Sequence, residues 1–256
     1  MKKHFRIGLI VPSSNVTMET EIPTMLQWRS EVAPERFTCH SSRMRMRNVT
    51  REELGEMDVE SDRCARELSD ARCDVLGYAC LIAIMVQGPG AHVASEERLA
   101  GVAREHGAPA PVVSSAGALV RGIQALGARK VALVAPYMKP LTTAVIDYLH
   151  AHDIEVTDAV SLEIANNLDV ANVDPMRLIG IAQGLDRSKA DAIVLSSCVQ
   201  MPSLAAIQDA EDRLGLPVLS AATATVYELL RGLHLEPIVP LAGRLLSGTV
   251  GARIVT

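Results

Sequence analysis

Two cysteines, Cys80 and Cys198, each close a short apolar run: Asp74-Val-Leu-Gly-Tyr-Ala-Cys80 and Asp191-Ala-Ile-Val-Leu-Ser-Ser-Cys198. Runs of this length read as buried parallel strands. A thiol at the C-terminal tip of such a strand stands where open α/β sheets bind ligands, because helix N-termini and backbone N–H groups converge there. As a thiolate it is a soft nucleophile, and as a thiol it is a proton donor. The remaining cysteines, Cys39, Cys64 and Cys73, complete an odd set of five without Cys-x-x-Cys spacing. Neither a disulfide framework nor a zinc site is expected from that pattern.

The elements that must position the two thiols follow the same logic. Phe5 to Val11 is an apolar strand ended by Pro12-Ser-Ser-Asn15, residues that favour turns and caps. A second strand is expected over Phe37 to Arg47, where Arg43, Arg45 and Arg47 alternate with Met44 and Met46 and read as a solvated or interface face. Thr50-Arg-Glu-Glu53 is a capping box opening a helix to about Ala71. Ser95 is expected to cap a helix that stops at Gly107, and Pro111 to Ser114 is a strand leading into a helix that ends at Gly127. In the second half, strands are expected at Val131 to Ala135, Ile154 to Val156 and Pro217 to Ser220. Helices are expected from Pro140 to about His152, from the Asp174-Pro175 pair toward Leu185, from the Ser203 cap to Gly215, and over Ala221 to Leu233 and Leu241 to Leu246. His150 and His152 lie two apart on a helix and make a poor metal pair.

Three landmarks recur in order. Arg6-Ile-Gly-Leu-Ile-Val-Pro12 matches Lys130-Val-Ala-Leu-Val-Ala-Pro136, the Asp74 to Cys80 run matches Asp191 to Cys198, and Pro111 to Val120 matches Pro217 to Val226. The repeat predicts an α/β fold of two pseudo-symmetric Rossmann-like lobes, each a parallel sheet of about four strands flanked by helices. The expected lobes are residues 1–115 with 224–256, and 116–223. Their strand tips face inward across a cleft, so Cys80 and Cys198 approach from opposite sides while Asn15 and Tyr137 follow equivalent first strands.

The chain has 256 residues, 48% apolar and 21% charged, with a net charge of -5. It can bury a substantial core, and its scattered Lys and Arg form no basic stripe, which argues against nucleic acid as a partner. No apolar run approaches the roughly 20 residues of a membrane span, and Met1-Lys-Lys-His-Phe-Arg6 leads into a strand without a signal-peptide apolar region. A cytoplasmic location is expected. Gly-x-Gly-x-x-Gly and Walker fingerprints are absent, and no cofactor and no metal is expected.

At the two cysteines the chain resembles the aspartate/glutamate racemase superfamily, in which two pseudo-symmetric halves carry one cysteine each. The racemases continue their cysteines as Cys-Asn-Thr and Cys-Thr-His; here they continue as Cys80-Leu-Ile and Cys198-Val-Gln. The closer resemblance is to the maleate cis-trans isomerases. It rests on Val11-Pro-Ser-Ser-Asn-Val-Thr17, Arg43-Met-Arg-Met46, Tyr78-Ala-Cys80, Pro136-Tyr-Met138, Val199-Gln-Met-Pro-Ser203 and Leu219-Ser-Ala-Ala-Thr223. Arylmalonate decarboxylases resemble the second half but keep only the second cysteine.

The resemblance implies cofactor-independent isomerisation of a small dicarboxylate, maleate, to fumarate. Cys80 would add reversibly to the alkene to give a succinyl thioether. Cys198, the second thiol, would supply and retrieve a proton or only shape the pocket. Backbone N–H groups of Leu81, Ile82, Val199 and Gln200, placed at helix N-termini, would bind the carboxylates, with side-chain hydrogen bonds from Asn15, Tyr137 and Asn167. Assembly as a homo-oligomer, a dimer or higher, is expected. The alternative enzyme is an aspartate/glutamate-type racemase with the two thiols as acid and base; a two-lobed binding module is the reading from a different class.

Overall fold

The computed structural model describes residues 3–47 and 49–250, so the outer ends of the expected first lobe, 1–2 and 251–256, lie outside the described residues. The first half runs β1 (His4–Pro12), α1 (Met18–Val32), β2 (Arg36–Met44), α2 (Arg51–Asp70), β3 (Val75–Tyr78), α3 (Leu81–Met85), α4 (Ala91–Glu105), β4 (Val112–Ser114) and α5 (Ser115–Ala125). The second runs β5 (Lys130–Ala135), α6 (Lys139–His150), β6 (Glu155–Ser161), α7 (Asn167–Ala171), α8 (Pro175–Gln183), β7 (Ala192–Ser196), α9 (Leu204–Leu214), β8 (Val218–Ser220) and α10 (Ala221–Gly232), then a 3-10 turn at Arg244–Leu246.

The strands form two four-stranded parallel sheets ordered β2-β1-β3-β4 and β6-β5-β7-β8. The repeat is therefore structural as well as textual. It extends to the strand entries: the Asp74 carboxylate accepts the Arg6 N–H at 2.8 Å, and the Asp191 carboxylate accepts the Arg129 and Lys130 N–H groups at 2.9 Å. Central strands covered on both faces need apolar side chains throughout. Ile7, Leu9, Ile10 and Val11 of β1, Val131 and Leu133 of β5, and Ile193 and Val194 of β7 are accordingly fully buried. Each such side chain contributes about 1.5–3 kcal/mol of burial.

Two helices join the halves. Ser114 caps α5 by accepting the Gly117 N–H, and Ser220 caps α10 through a reciprocal capping box with Thr223. A Cβ at Gly122 of α5 would stand 3.1 Å from Ala224 of α10 and 3.5 Å from Leu219 of β8, so glycine permits the close crossing there. Across it, α10 lies against the first sheet, where Leu229 meets Gly77 of β3.

Several local expectations are corrected. Helix α1 has no counterpart among the expected elements. The second strand is Arg36–Met44 rather than Phe37 to Arg47, and the Ile154 to Val156 strand is the longer β6. Ser95 does not cap α4; it lies inside that helix, which starts at Gly90 in a left-handed conformation. Ser203 occupies the N-cap position of α9 without a side-chain cap bond. The segment Leu241 to Leu246 carries only the short 3-10 turn.

Candidate active site

β3 ends at Tyr78, and the ladder runs one residue further, with Ala79 N–H donating to Ile10 O at 2.8 Å. The chain then turns abruptly. Cys80 adopts φ +84° and ψ +69°, a left-handed conformation that costs an L-residue roughly 1–2 kcal/mol. Such strain persists only where neighbouring structure enforces it. Here the ladder bond holds one side and the Ala83 N–H, donating to Cys80 O at 3.1 Å, holds the other. Cys80 thereby caps α3, whose first two N–H groups, on Leu81 and Ile82, have no acceptor among the described residues.

Cys198 is held differently. β7 ends at Ser196, whose hydroxyl donates to Cys198 O at 2.8 Å and lies 3.4 Å from the Cys198 N–H. No helix begins there: Val199 and Gln200 form a turn, and α9 starts only at Leu204. The expectation that both cysteine loops open helices is thus right for Cys80 and wrong for Cys198. With the turn and Pro202 intervening, the helix starts at Leu204 rather than directly after Cys198. In place of a helix N-terminus, the Gln200 N–H donates to the Cys198 sulfur at 3.4 Å.

Cys80 and Cys198, 7% and 8% exposed, face one small cavity of about 20 Å³. Leu81, Ile82, Pro12, Met46 and Val49 give it an apolar side; Asn15, Tyr137, Asn167, Val199 and Gln200 line the rest. All nine residues expected at the site therefore lie around a single cavity. Its lining contains no Lys, Arg or His among the described residues.

Burial pushes the Cys80 thiol up to about 12, and the nearby Cys198 and Asp58 add to that; the Ala83 amide opposes it. Burial raises Cys198 as well, but the Tyr137 hydroxyl and the amides of Gln200 and Met201 all favour its thiolate. Tyr137 also donates to Ser197 O at 3.3 Å, and burial beside the thiols moves its own ionisation well above the usual tyrosine range.

The side-chain amides divide their work. Asn15 Oδ1 accepts the N–H groups of Thr17 and Met18 at 3.1 and 2.9 Å and so starts α1, leaving its NH₂ without a protein acceptor among the described residues. Asn167 spends one N–H on Ser14 Oγ at 2.8 Å. Gln200 differs: its side chain is wholly bonded to protein, with Oε1 accepting from Val16 and Nε2 donating to Ser14 O and Asn167 O. Only its backbone N–H is oriented toward the site.

Two supporting residues escape sequence reasoning. Arg43, read as part of a solvated face, is exposed yet donates to Ser13 O at 2.8 Å and Asn15 O at 2.9 Å and pairs with Glu19, fixing the loop that carries Asn15. Pairing of Val11 with Arg43 in adjacent parallel strands places it there. Glu21, buried in α1, accepts the N–H groups of Ser203 and Leu204 at 2.6 and 2.7 Å and supplies the cap that Ser203 does not. No sequence signal marks that long-range bond.

A protein-family model described as arylmalonate decarboxylase matches residues 7–246. A maleate isomerase of Geobacillus stearothermophilus is 68% identical, over 97% of this chain and 99% of the relative. Among solved structures, a cysteine-to-alanine variant of a Pseudomonas putida maleate isomerase with maleate superposes with a TM-score of 0.96 at 57% identity, covering 97% of this chain and 99% of that one. A mutant of the Nocardia farcinica maleate cis-trans isomerase with a covalently bound succinylcysteine intermediate superposes with a TM-score of 0.91 at 48% identity, covering 95% and 98%.

Proposed function

The chain belongs to the maleate isomerase family, and from that premise we propose that it converts maleate to fumarate by reversible addition of Cys80 to the alkene. The observation that carries the reading is the cavity itself, where two thiols meet neutral hydrogen-bond donors and an apolar wall with no cation among its lining residues. A dianion would be held there by N–H and O–H groups: the free amides of Leu81 and Ile82, the Val199 amide, the NH₂ groups of Asn15 and Asn167 and the Tyr137 hydroxyl.

In the proposed step the Cys80 sulfur, having given its proton to bulk solvent, forms a bond to one alkene carbon. The π pair moves to the neighbouring carbon, where the adjacent carboxylate and the donors around it spread the charge. Cys198 protonates that carbon, giving a succinyl thioether whose central bond is single and rotates. Cys198 then takes the proton back, the pair re-forms the double bond, and the carbon–sulfur bond breaks to release fumarate and the Cys80 thiolate. Atoms and electrons balance without a co-reactant. The succinylcysteine in the Nocardia farcinica mutant is the kind of species this sequence requires.

The division into lobes 1–115 with 224–256, and 116–223, belongs to the same proposal and is supported by α10 lying against the first sheet. Among the described residues no helix is long and apolar enough to cross a membrane. A reducing cytoplasm suits a site built on two free thiols. The test is direct: purified protein is mixed with maleate without added cofactor and followed by proton NMR. Growth of the fumarate signal is expected, and a persistent absence of fumarate rejects the activity.

A further inference from the structure

Gln200 is 2% exposed, and its side chain makes every hydrogen bond available to its two N–H groups while its carbonyl oxygen is also engaged. A buried amide with all its donors used is fixed in orientation, because any rotation orphans a polar group at about 1–3 kcal/mol. Its partners are not random. Val16 N–H donates to Oε1 at 2.9 Å, and Nε2 donates to Ser14 O at 3.0 Å, so the two bonds bracket Asn15 from both sides. The other Nε2 bond reaches Asn167 O at 2.9 Å, and Asn167 closes the circuit by donating from Nδ2 to Ser14 Oγ at 2.8 Å. The Gln200 backbone contributes at both ends: its carbonyl accepts from Thr17 Oγ1 at 2.7 Å, and its N–H faces the Cys198 sulfur.

One side chain thus ties together the loop after β1, the start of α7 and the turn after β7. Each of these segments presents a different group to the cavity, namely Asn15, Asn167 and Cys198. Asn15 comes from the first sheet and Asn167 and Cys198 from the second, so no single sheet fixes the spacing of all three.

We propose that the Gln200 side-chain amide is a positioning residue for the reaction: it touches no substrate and sets the relative placement of Asn15, Asn167 and Cys198 around the dicarboxylate. The inference rests on the isomerase reading of the cavity. A wild-type chain inert toward maleate rejects that reading, whereas an active wild type with unaffected Gln200 variants rejects this inference alone.

Gln200→Met keeps the length of the side chain and removes its hydrogen bonds. Substrate-facing donors remain, so the dicarboxylate still binds, but misalignment of reacting groups by about 1 Å costs about a hundred-fold in rate. The expected result is a fall of about that size in kcat with a much smaller rise in KM. Because Gln200 acts in part through Asn15, the double variant Gln200→Met/Asn15→Ala should be slowed by less than the product of the two single losses. An unchanged kcat in folded Gln200→Met, or losses that multiply in the double variant, overturns the assignment. Should Gln200→Met fail to fold, Gln200→Glu, which keeps the acceptor for Val16 and loses the donors to Ser14 O and Asn167 O, is assayed at a temperature where circular dichroism shows it folded. Its kcat is expected to fall at least several-fold, and a wild-type kcat there overturns the proposal equally.

Discussion

At the scale of single residues, the proposed nucleophile is a thiol that the fold keeps protonated among neutral hydrogen-bond donors. The Cys80 thiol ionises near 9 in an unfolded chain and is pushed up to about 12 by burial in the fold. Below pH 9 both states hold the proton and stability is unaffected. Between 9 and 12 the unfolded chain loses a proton that the native chain keeps, so stability falls as pH rises, by about 1.4 kcal/mol per unit. Cys39 and Cys73, both pushed to about 11, act in the same direction. Urea unfolding from pH 8 to 10.5 is expected to show a loss that is shallower in Cys80→Ala than in wild type; parallel slopes would mean that Cys80 is not buried as described. Tyr137→Phe leaves the ring packed and removes the hydroxyl that faces Cys198 and Ser197. A hydrogen bond to a charged group contributes roughly 1.5–3 kcal/mol, so kcat/KM is expected to fall about ten- to a hundred-fold. An unchanged kcat/KM in steady-state assays removes Tyr137 from the site.

Among the elements, α1 carries the greatest distance between text and structure. Its buried positions Met18, Glu21, Ile22, Met25, Leu26 and Arg29 have complete helical spacing, but two of the six are charged and Pro23 sits inside the helix. The apolar stripe that marks an amphipathic helix is broken where it matters. The charges are tolerated because each finds a long-range partner: Arg29 donates to Glu236 O and Ile238 O, and Glu21 caps α9. Such bonds depend on the assembled fold. Burial raises the Glu21 pKa above 4.5 despite the two amides it accepts, so its charge lowers stability as pH rises through that raised value. Glu21→Ala orphans the Ser203 and Leu204 amides and is expected to cost about 1–3 kcal/mol, or roughly 2–12 °C in melting temperature. Glu21→Gln keeps an acceptor without the buried charge and is expected to melt closer to wild type and to lack the acid-side gain in stability; calorimetry from pH 4 to 8 separates the variants. By contrast, β1, β3, β5 and β7 were legible because strands covered on both faces demand continuous apolar runs. The edge strands β2 and β6, half exposed, left their ends undefined by the same rule.

At the scale of the whole molecule, duplication explains why the meeting of the two cysteines could be read from sequence: an equivalent strand tip in each half brings one cysteine to the shared cavity. The halves are not equivalent in detail. Cys80 sits in a strained left-handed turn that starts a helix, whereas Cys198 lies in a turn braced by Ser196, with Tyr137 and two amides favouring its thiolate. That asymmetry arises from contacts outside the repeated strings, so the roles of the two thiols were less legible than their positions. The proposed assignment is Cys80 as the group that forms the bond and Cys198 as the group that moves the proton. The most direct test is to mix Cys198→Ser protein with maleate, quench rapidly at a series of times and locate any added mass by peptide mapping. One maleate-derived adduct on Cys80 is expected, because addition proceeds while collapse is slowed; an enzyme that turns over maleate yet shows no adduct on Cys80 at any quench time would contradict the proposed chemistry.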